Sequence, residues 1–536
     1  MGDIVEQIVC KTSDLQNNEK RVFDLAEDGG KVLVIKQDDK FMAIGHKCSH
    51  YGAPLVNGVL CGHQLSCPWH AATFNIITGD IEDFPGCDSL PVHEVIVKGD
   101  NVMVRAKKAD LKQSFRVKSL SPKNDNNVLT FVIVGGGPAG LQCAETLRQE
   151  GFTGRVVLIS SEDSYPYDRT KLSKTLTSKV KDLLLRSEDF LNKANIEVIL
   201  NATVEKLNTK EKSIQLDNGS VVNFDRIFLG TGVRPKTYDA KGNNLKNICY
   251  LRTHLDANFI AENGPNKDVV IIGTSFIGME VAAYLNGKAK SLSIIGKSKY
   301  PFALTLGQQI GEQFRKLYES KGIKFYTECG VKEFCGDNDN QLKTIILTND
   351  EVLNADLCVI GIGGEPNTDY LKGTDIKMDK SYILVDKNFE TSEKNVFAGG
   401  DVVRYELSIV NQSIVNVGHW QTAQSHGKSA ALSMLVKTSD LKSVPFFWSM
   451  MFGKGLRFAG NNEGFKDIII DGNVEEFKFI AYYIDNAENV VAVATIANDP
   501  IATLFTAFLR SGKTLTAKEI KSDPKAWIKS MSGQPK

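Results

Sequence analysis

Apolar residues along this chain fall into runs of two kinds, and the kinds occupy different stretches. Val128-Leu-Thr-Phe-Val-Ile-Val134, Arg155-Val-Val-Leu-Ile159, Asp268-Val-Val-Ile-Ile272 and Ser291-Leu-Ser-Ile-Ile295 lack apolar-polar alternation. Such runs predict strands buried on both faces, as in a parallel sheet covered by helices. Two of them lead straight into glycine turns and then into the helical stretches LQCAETLRQE and MEVAAYLNGKA. Before residue 107 the pattern is different: short runs rich in Val, Ile and Phe are punctuated by Gly79-Asp80 and Phe84-Pro85-Gly86. This predicts a small antiparallel sheet with prominent loops. From Val444-Pro-Phe-Phe-Trp-Ser449 onward, strand-like runs such as FKFIAYYI and NVVAVATI precede a final helical stretch, which predicts an α+β unit whose LFTAFLRSGKTL stripe is core. Between 107 and 127, KKADLKQSFRVKSLSPKNDNN loses all periodicity and reads as a linker.

Gly135, Gly137 and Gly140 form a G-x-G-x-x-G turn between the first unbroken run and its helix. Glycines at those positions permit a tight turn, backbone approach to a pyrophosphate and close packing of helix on strand, while the helix N-terminus supplies positive dipole. The second run leads to Glu162, where a carboxylate can bond an adenosine ribose. A second copy, Gly273-Thr-Ser275-Phe276-Ile-Gly278, follows the third run. Two α/β dinucleotide-binding (Rossmann-like) domains are therefore expected, suggesting one flavin and one nicotinamide nucleotide. The second copy departs from the pattern. Ser275 replaces the middle glycine, and Gly296 stands where an acid would read the ribose of NADH, with Lys297 and Lys299 just beyond. A missing carboxylate and added cations favour a 2′-phosphate, which makes NADPH a candidate beside NADH; a degraded, slowly reducing site is the other reading.

Chemistry of another kind lies near the N-terminus. Cys48-Ser-His50 is followed by Cys67-Pro-Trp-His70, so each of two loops offers one thiol and one imidazole. A Rieske [2Fe-2S] cluster needs this mixture, because two thiolates hold one iron and two imidazoles the other. Structural zinc is the alternative, although zinc modules usually pair Cys with Cys and His with His. Residues 1–106 resemble the Rieske ferredoxin domain throughout. Relative to the quinol-oxidising Rieske proteins, Ala53 and Trp69 stand where that group has its disulfide cysteines, and Ala72 and Phe74 where it has hydroxyl donors. Fewer donors to sulfur imply a potential near about −150 mV rather than about +300 mV. Cys61 and His63 fit no ligand spacing.

Composition narrows the classes. Lys plus Arg and Asp plus Glu are each 64 among 536 residues, so no basic footprint recommends nucleic acid as a partner. There is no apolar window of membrane-spanning length, and the start MGDIVEQ is neither signal nor transit peptide. Ten Cys without a Cys-x-x-Cys pair fit a reducing compartment, cytoplasmic in the first instance with mitochondrial association as the alternative.

Three further glycine-rich turns follow in order: Gly230-Thr-Gly232-Val-Arg234-Pro, Gly361-Ile-Gly-Gly364-Glu-Pro-Asn367 and Val396-Phe-Ala-Gly399-Gly400-Asp401. With Tyr165-Pro-Tyr167-Asp-Arg169-Thr-Lys-Leu-Ser-Lys174, they resemble the flavoprotein reductases of the ferredoxin-reductase and apoptosis-inducing-factor branch. A Rieske domain ahead of such a reductase is the arrangement of the Rieske-containing apoptosis-inducing-factor-like family. The resemblance implies a Rieske domain at 1–106, a linker at 107–127, an FAD domain at 128–264 and 386–438, an NAD(P) domain at 265–385 and an α+β interface domain at 439–536, often a dimerisation unit. It implies that Gly135, Gly137, Pro138, Ala139 and Gly140 hold the FAD pyrophosphate, Glu162 and Asp163 the adenosine end, and Val204 the adenine. Arg169 and Lys174 would face the flavin, Gly400 and Asp401 the ribityl chain, and His419 and Trp420 the isoalloxazine. Gly273, Phe276, Gly278 and Glu280 would serve the nicotinamide nucleotide, with Glu280 able to pair with Lys174, and Lys297 is added as a candidate by its own position beside Gly296. Lys174, Glu280 and Trp420 are the candidates for catalysis. The implied activity is electron transfer from NAD(P)H through FAD to the cluster and on to an unknown acceptor. A redox-sensing or pro-apoptotic effector acting through partner binding is the second expectation.

Overall fold

The computed structural model describes residues 3–25, 30–409, 413–438 and 442–531. Its N-terminal unit is all β. Ile4–Lys11, Asn101–Lys107, Val92–Lys98, Lys40–Gly45, Lys31–Gln37 and Lys20–Asp24 form a six-stranded sheet in that order. Side chains alternate across a strand, so Lys31–Gln37 feeds two cores: Leu33 and Ile35 pack with the cluster-loop region, Val32 and Val34 with the opposite face. A second, four-stranded sheet of Val59–Cys61, Gln64–Ser66, Thr73–Asn75 and Ile81–Asp83 completes the unit.

The unbroken runs do become parallel strands. Ile196–Ile199, Arg155–Ile159, Thr130–Val134, Arg226–Leu229 and Val396–Ala398 make one five-stranded parallel sheet. Ile248–Tyr250, Leu357–Ile360, Asp268–Ile272, Ser291–Gly296 and Lys324–Thr327 make another. Helices Pro138–Gln149 and Trp420–Met434 touch backbone to backbone on the first sheet; a Cβ at Gly427 would lie 2.1 Å from the Ala139 carbonyl oxygen.

The chain crosses between these halves earlier than the expected boundaries at 264 and 385. Val233–Pro235 and Gly364–Pro366 pair with each other as the two crossing strands. Ile248–Tyr250 already belongs to the second sheet, and Tyr382–Leu384 pairs with Val403–Leu407 on the first side. Strand pairing decides this, and three-residue strands carry too little periodicity to be seen in sequence.

The 107–127 segment is also more ordered than a free linker. Lys108–Lys112 is a short helix, Arg116 donates to the Thr78 and Leu90 carbonyl oxygens and ion-pairs with Asp80, and the Ser121 amide donates to the Arg148 carbonyl. Backbone and guanidinium contacts of this kind leave no periodic trace.

Phe446–Met451, Lys454–Gly460, Val490–Ile496, Lys478–Ile484 and Asp467–Asn473 form the C-terminal antiparallel sheet, backed by helix Ile501–Arg510. The stripe on that helix is core, and it also seats the N-terminal unit: Thr503 donates to the Cys67 carbonyl oxygen at 3.1 Å and Arg510 to Thr73 Oγ1 at 3.1 Å. Elsewhere on this interface buried Arg186 joins Asp88 (2.7 Å) to Glu145 (2.8 Å), and Asp83 accepts from Gln421 and Ser425, each at 3.0 Å. Breaking a buried pair costs about 3–5 kcal/mol, so these contacts hold one orientation of the N-terminal unit on the reductase half. Among the described residues no helix is long and apolar enough to cross a membrane.

Candidate redox site

The two N-terminal loops are built alike. Cys48 N–H donates to the Ala53 carbonyl (2.9 Å) and Cys67 N–H to the Ala72 carbonyl (2.7 Å), while Gly52 and Ala71 N–H donate back to the carbonyls of Cys48 and Cys67. Both Gly52 (φ 74) and Ala71 (φ 61) are left-handed, which folds each loop tightly enough to turn Cys and His inward. The two thiols share a hydrogen bond that holds Cys67 below the usual thiol range and pushes Cys48 above it. The imidazole rings of His50 and His70 lie 5.1 Å apart, and His50 Nδ1 is buried with no protein partner. Burial pulls His50 down to about 4 and His70 to about 2; both rings are neutral near pH 7, the form that ligates metal. Among the described residues no three Cys, His, Asp or Glu side chains close on a point that could hold a single ion. Two buried thiols beside two neutral imidazoles are the donor set that a two-iron Rieske cluster takes.

The first glycine turn has the geometry its spacing predicts. A Cβ on Gly135 (φ +117) would lie 2.2 Å from the Gly230 carbonyl oxygen and one on Gly140 1.9 Å from that of Gly135, whereas Gly137 has nothing within 4 Å. That open side is where backbone can approach a diphosphate. It faces a cavity of about 420 Å³ bordered by Pro138, Ala139, Glu162, Val204 and Gly400. A neighbouring cavity of about 590 Å³ is bordered by Lys174, Phe276, Glu280, His419 and Trp420. Arg169, Arg252 and Asp401 border both, making one elongated cleft of a form suited to FAD. Burial raises the Asp401 carboxyl, and the Arg252 and Arg169 charges oppose that rise.

Within the cleft, Lys174 Nζ lies 2.9 Å from Glu280 Oε2. Glu280 also accepts from Ser173 and, at 2.5 Å, from Ser449 of the C-terminal unit. Its carboxylate is thus fixed by three side chains from two distant parts of the chain. Phe276 packs against Phe302 (4.8 Å) and Phe447 (4.9 Å). His419 Nδ1 is buried without a partner, and burial holds that ring near about 4, hence neutral. Glu162 accepts from Tyr167 and ion-pairs with Arg169.

Asp163 is not brought to the cleft. Its carboxylate meets His254 Nε2 at 2.9 Å instead and borders neither cavity. In the second glycine turn, Gly273 and Gly278 repeat the packing roles, with Cβ positions 2.2 Å from the Gly361 and 2.6 Å from the Gly273 carbonyl oxygens, and Ser275 borders the cleft. Lys297 is exposed at the end of its strand and borders neither cavity. Arg252, Ser449 and Trp448 were not singled out by sequence reasoning; no local motif marks the first two, and Trp448 sits in an apolar run that reads equally well as core.

Trp448 is the residue that joins the two sites. Its indole ring lies 4.2 Å from the His70 ring and 5.7 Å from that of His50, and the same side chain borders the larger cavity.

Residues 129–427 match the family described as Pyridine nucleotide-disulphide oxidoreductase, residues 5–94 the Rieske [2Fe-2S] domain and residues 446–532 the Reductase C-terminal domain. Apoptosis-inducing factor 3 of Homo sapiens is 42% identical over 525 residues, which cover 97% of this chain and 86% of that protein. The ferredoxin–NAD(+) reductase subunit of the benzene 1,2-dioxygenase system of Pseudomonas putida is 29% identical over 345 residues, 64% of this chain and 83% of its own. Among solved structures, the ferredoxin reductase of the CYP199A2 system from Rhodopseudomonas palustris superposes with a TM-score of 0.70 at 26% identity, covering 75% of this chain and 99% of that one. The N-terminal centre is thus a Rieske [2Fe-2S] domain rather than a zinc module, and FAD and NAD(P)H are the cofactors of the reductase half. The chain belongs to the pyridine nucleotide-disulphide oxidoreductase family, as an NAD(P)H-dependent, Rieske-bearing member of the apoptosis-inducing factor 3 kind.

Proposed function

We propose that this protein is a self-contained electron relay: electrons from NAD(P)H enter at the cleft, cross to the cluster held by Cys48, His50, Cys67 and His70, and leave to an outside one-electron acceptor. FAD, when bound, accepts two electrons as hydride and releases them singly. The chain's own residues bind and orient. Gly137 leaves room for the diphosphate, and Arg169 and Arg252 set positive charge at the neck of the cleft beside Asp401. The Lys174–Glu280 pair, fixed by Ser173 and Ser449, gives the flavin end a defined charge geometry. The observation that carries the proposal is Trp448, which touches a cluster ligand and borders the cleft. Buried interdomain contacts support transfer within one docked arrangement.

NADPH is the proposed donor, supported by the absence of a carboxylate at Gly296 and by exposed Lys297 and Lys299. None of the ten cysteines is joined in a disulfide, which supports a reducing compartment such as the cytoplasm. A homodimer through the C-terminal unit completes the proposal, and sedimentation of the holoprotein tests it. Anaerobic mixing with NADPH or NADH, followed by absorbance for FAD and EPR for the cluster, tests the relay. Reduced cluster is expected in the wild type and absent in His70→Ala, which keeps FAD. Flavin reduction with no electron reaching an intact wild-type cluster would refute it.

A further inference from the structure

Arg457 borders neither cavity of the cleft and has no part in the relay as described. It lies directly across the strand pair from Trp448, so both side chains leave the sheet on the same face, the face on which Trp448 meets His70. The Arg457 side chain is 11% exposed, yet poorly matched. Asp499, its carboxylate partner, stands at 3.5 Å and is itself 39% exposed; Nη1 reaches the carbonyl of its chain neighbour Leu456 at 3.3 Å; Nε is buried with no protein partner. A guanidinium this far from water costs free energy unless negative charge meets it.

We infer that Arg457 is the charge partner of the reduced cluster, and that it raises the cluster's reduction potential so that electrons run from flavin to cluster. Two ferric ions, two sulfides, two thiolates and two neutral imidazoles carry no net charge, and one electron from the flavin makes the cluster an anion. A fixed cation directly across the strand pair from Trp448, whose ring meets His70, favours that anion and leaves the neutral state unaffected. This opposes the low potential expected from Ala72 and Phe74. Because Arg457 belongs to the C-terminal unit, the potential depends on the N-terminal unit being docked. The inference rests on the assignment of the four ligands.

An EPR-monitored redox titration of the full-length holoprotein tests it. Arg457→Gln shifts the electron's share from cluster to flavin by about tenfold, equivalent to about 59 mV for a one-electron couple; Arg457→Lys retains most of the wild-type potential. The flavin potential, read in the same titration, stays in place. Should Arg457→Gln fail to fold, Asp499→Asn supplies the opposite arm: removing the opposing carboxylate raises the cluster potential. An unchanged potential in Arg457→Gln with an unaltered EPR line shape overturns the inference, as does an unchanged potential in Asp499→Asn where that is the arm available. A wild-type protein without a Rieske EPR signal would instead overturn the ligand assignment.

Discussion

The ring of Trp448 packs 4.2 Å from the ring of His70, although the two residues belong to domains at opposite ends of the chain. One is a proposed cluster ligand, and the other borders the cleft. Replacing Trp448 with Leu keeps an apolar filler and removes the ring. Electron arrival at the cluster then slows more than flavin reduction does. Stopped-flow absorbance with rapid-freeze EPR separates the two steps, and equal slowing of both would count against a bridging role.

Docking itself has a single-atom test. Tyr51 stacks on His50 with ring centroids 3.7 Å apart, and its hydroxyl donates to buried Asp168 of the flavin-facing segment. Tyr51→Phe keeps the stack and strips one donor from the carboxylate, a loss of about 1–3 kcal/mol. The N-terminal unit should then release at lower denaturant, read as earlier proteolysis in 107–127, while the cluster spectrum persists.

Nucleotide choice is expected to respond to Lys297. Lys297→Glu weakens NADPH relative to NADH by about tenfold, the worth of a partly exposed charge-assisted contact. Gly296→Glu, the direct route to an NADH reader, is blocked as a single change: its Cβ would lie 2.4 Å from the Thr274 methyl and 3.1 Å from its hydroxyl. Paired with Thr274→Gly it should gain NADH preference. Single-turnover flavin reduction with each nucleotide decides the matter; no change in the ratio for Lys297→Glu would leave that lysine without a part in recognition.

His426 contributes to the pH dependence alongside the other imidazoles that burial depresses, His50, His70 and His419. Its Nδ1 accepts the Gly400 amide at 3.2 Å, its Nε2 is buried without a partner, and burial holds the ring at about 3. In the unfolded chain the ring titrates near about 6.5. Below that pH the unfolded state binds a proton that the folded state refuses, so the contribution is whole above about 6.5. It falls by about 1.4 kcal/mol per unit as pH drops towards the folded value. His426→Asn, whose amide oxygen can take the Gly400 bond, should flatten the slope of denaturant midpoint against pH between about 6 and 4. An unaltered slope would mean that other groups carry it.

Ligand spacing, glycine turns and unbroken apolar runs act over a few neighbouring residues, and all of these were legible in the chain. Cys48, His50, Cys67 and His70 are fixed by two short loops with one hydrogen-bond plan, so local order was enough. Gly135, Gly137 and Gly140 likewise occupy the three roles that their spacing requires. What only tertiary structure decided is everything set by distance across the chain. Asp163 meets His254 rather than the cleft, and Ser449 rather than a nearby residue completes the hold on Glu280. The domain crossings fall at Val233–Pro235 and Gly364–Pro366, whose pairing no periodicity announces. Trp448 acquires its place beside His70, with Arg457 across the strand pair from it, only because helix Ile501–Arg510 and the Asp83 and Asp88 contacts seat the N-terminal unit on the rest of the chain. A side chain's identity and its neighbours specify local geometry, but packing and charge act through space, and a sequence orders residues only along the chain.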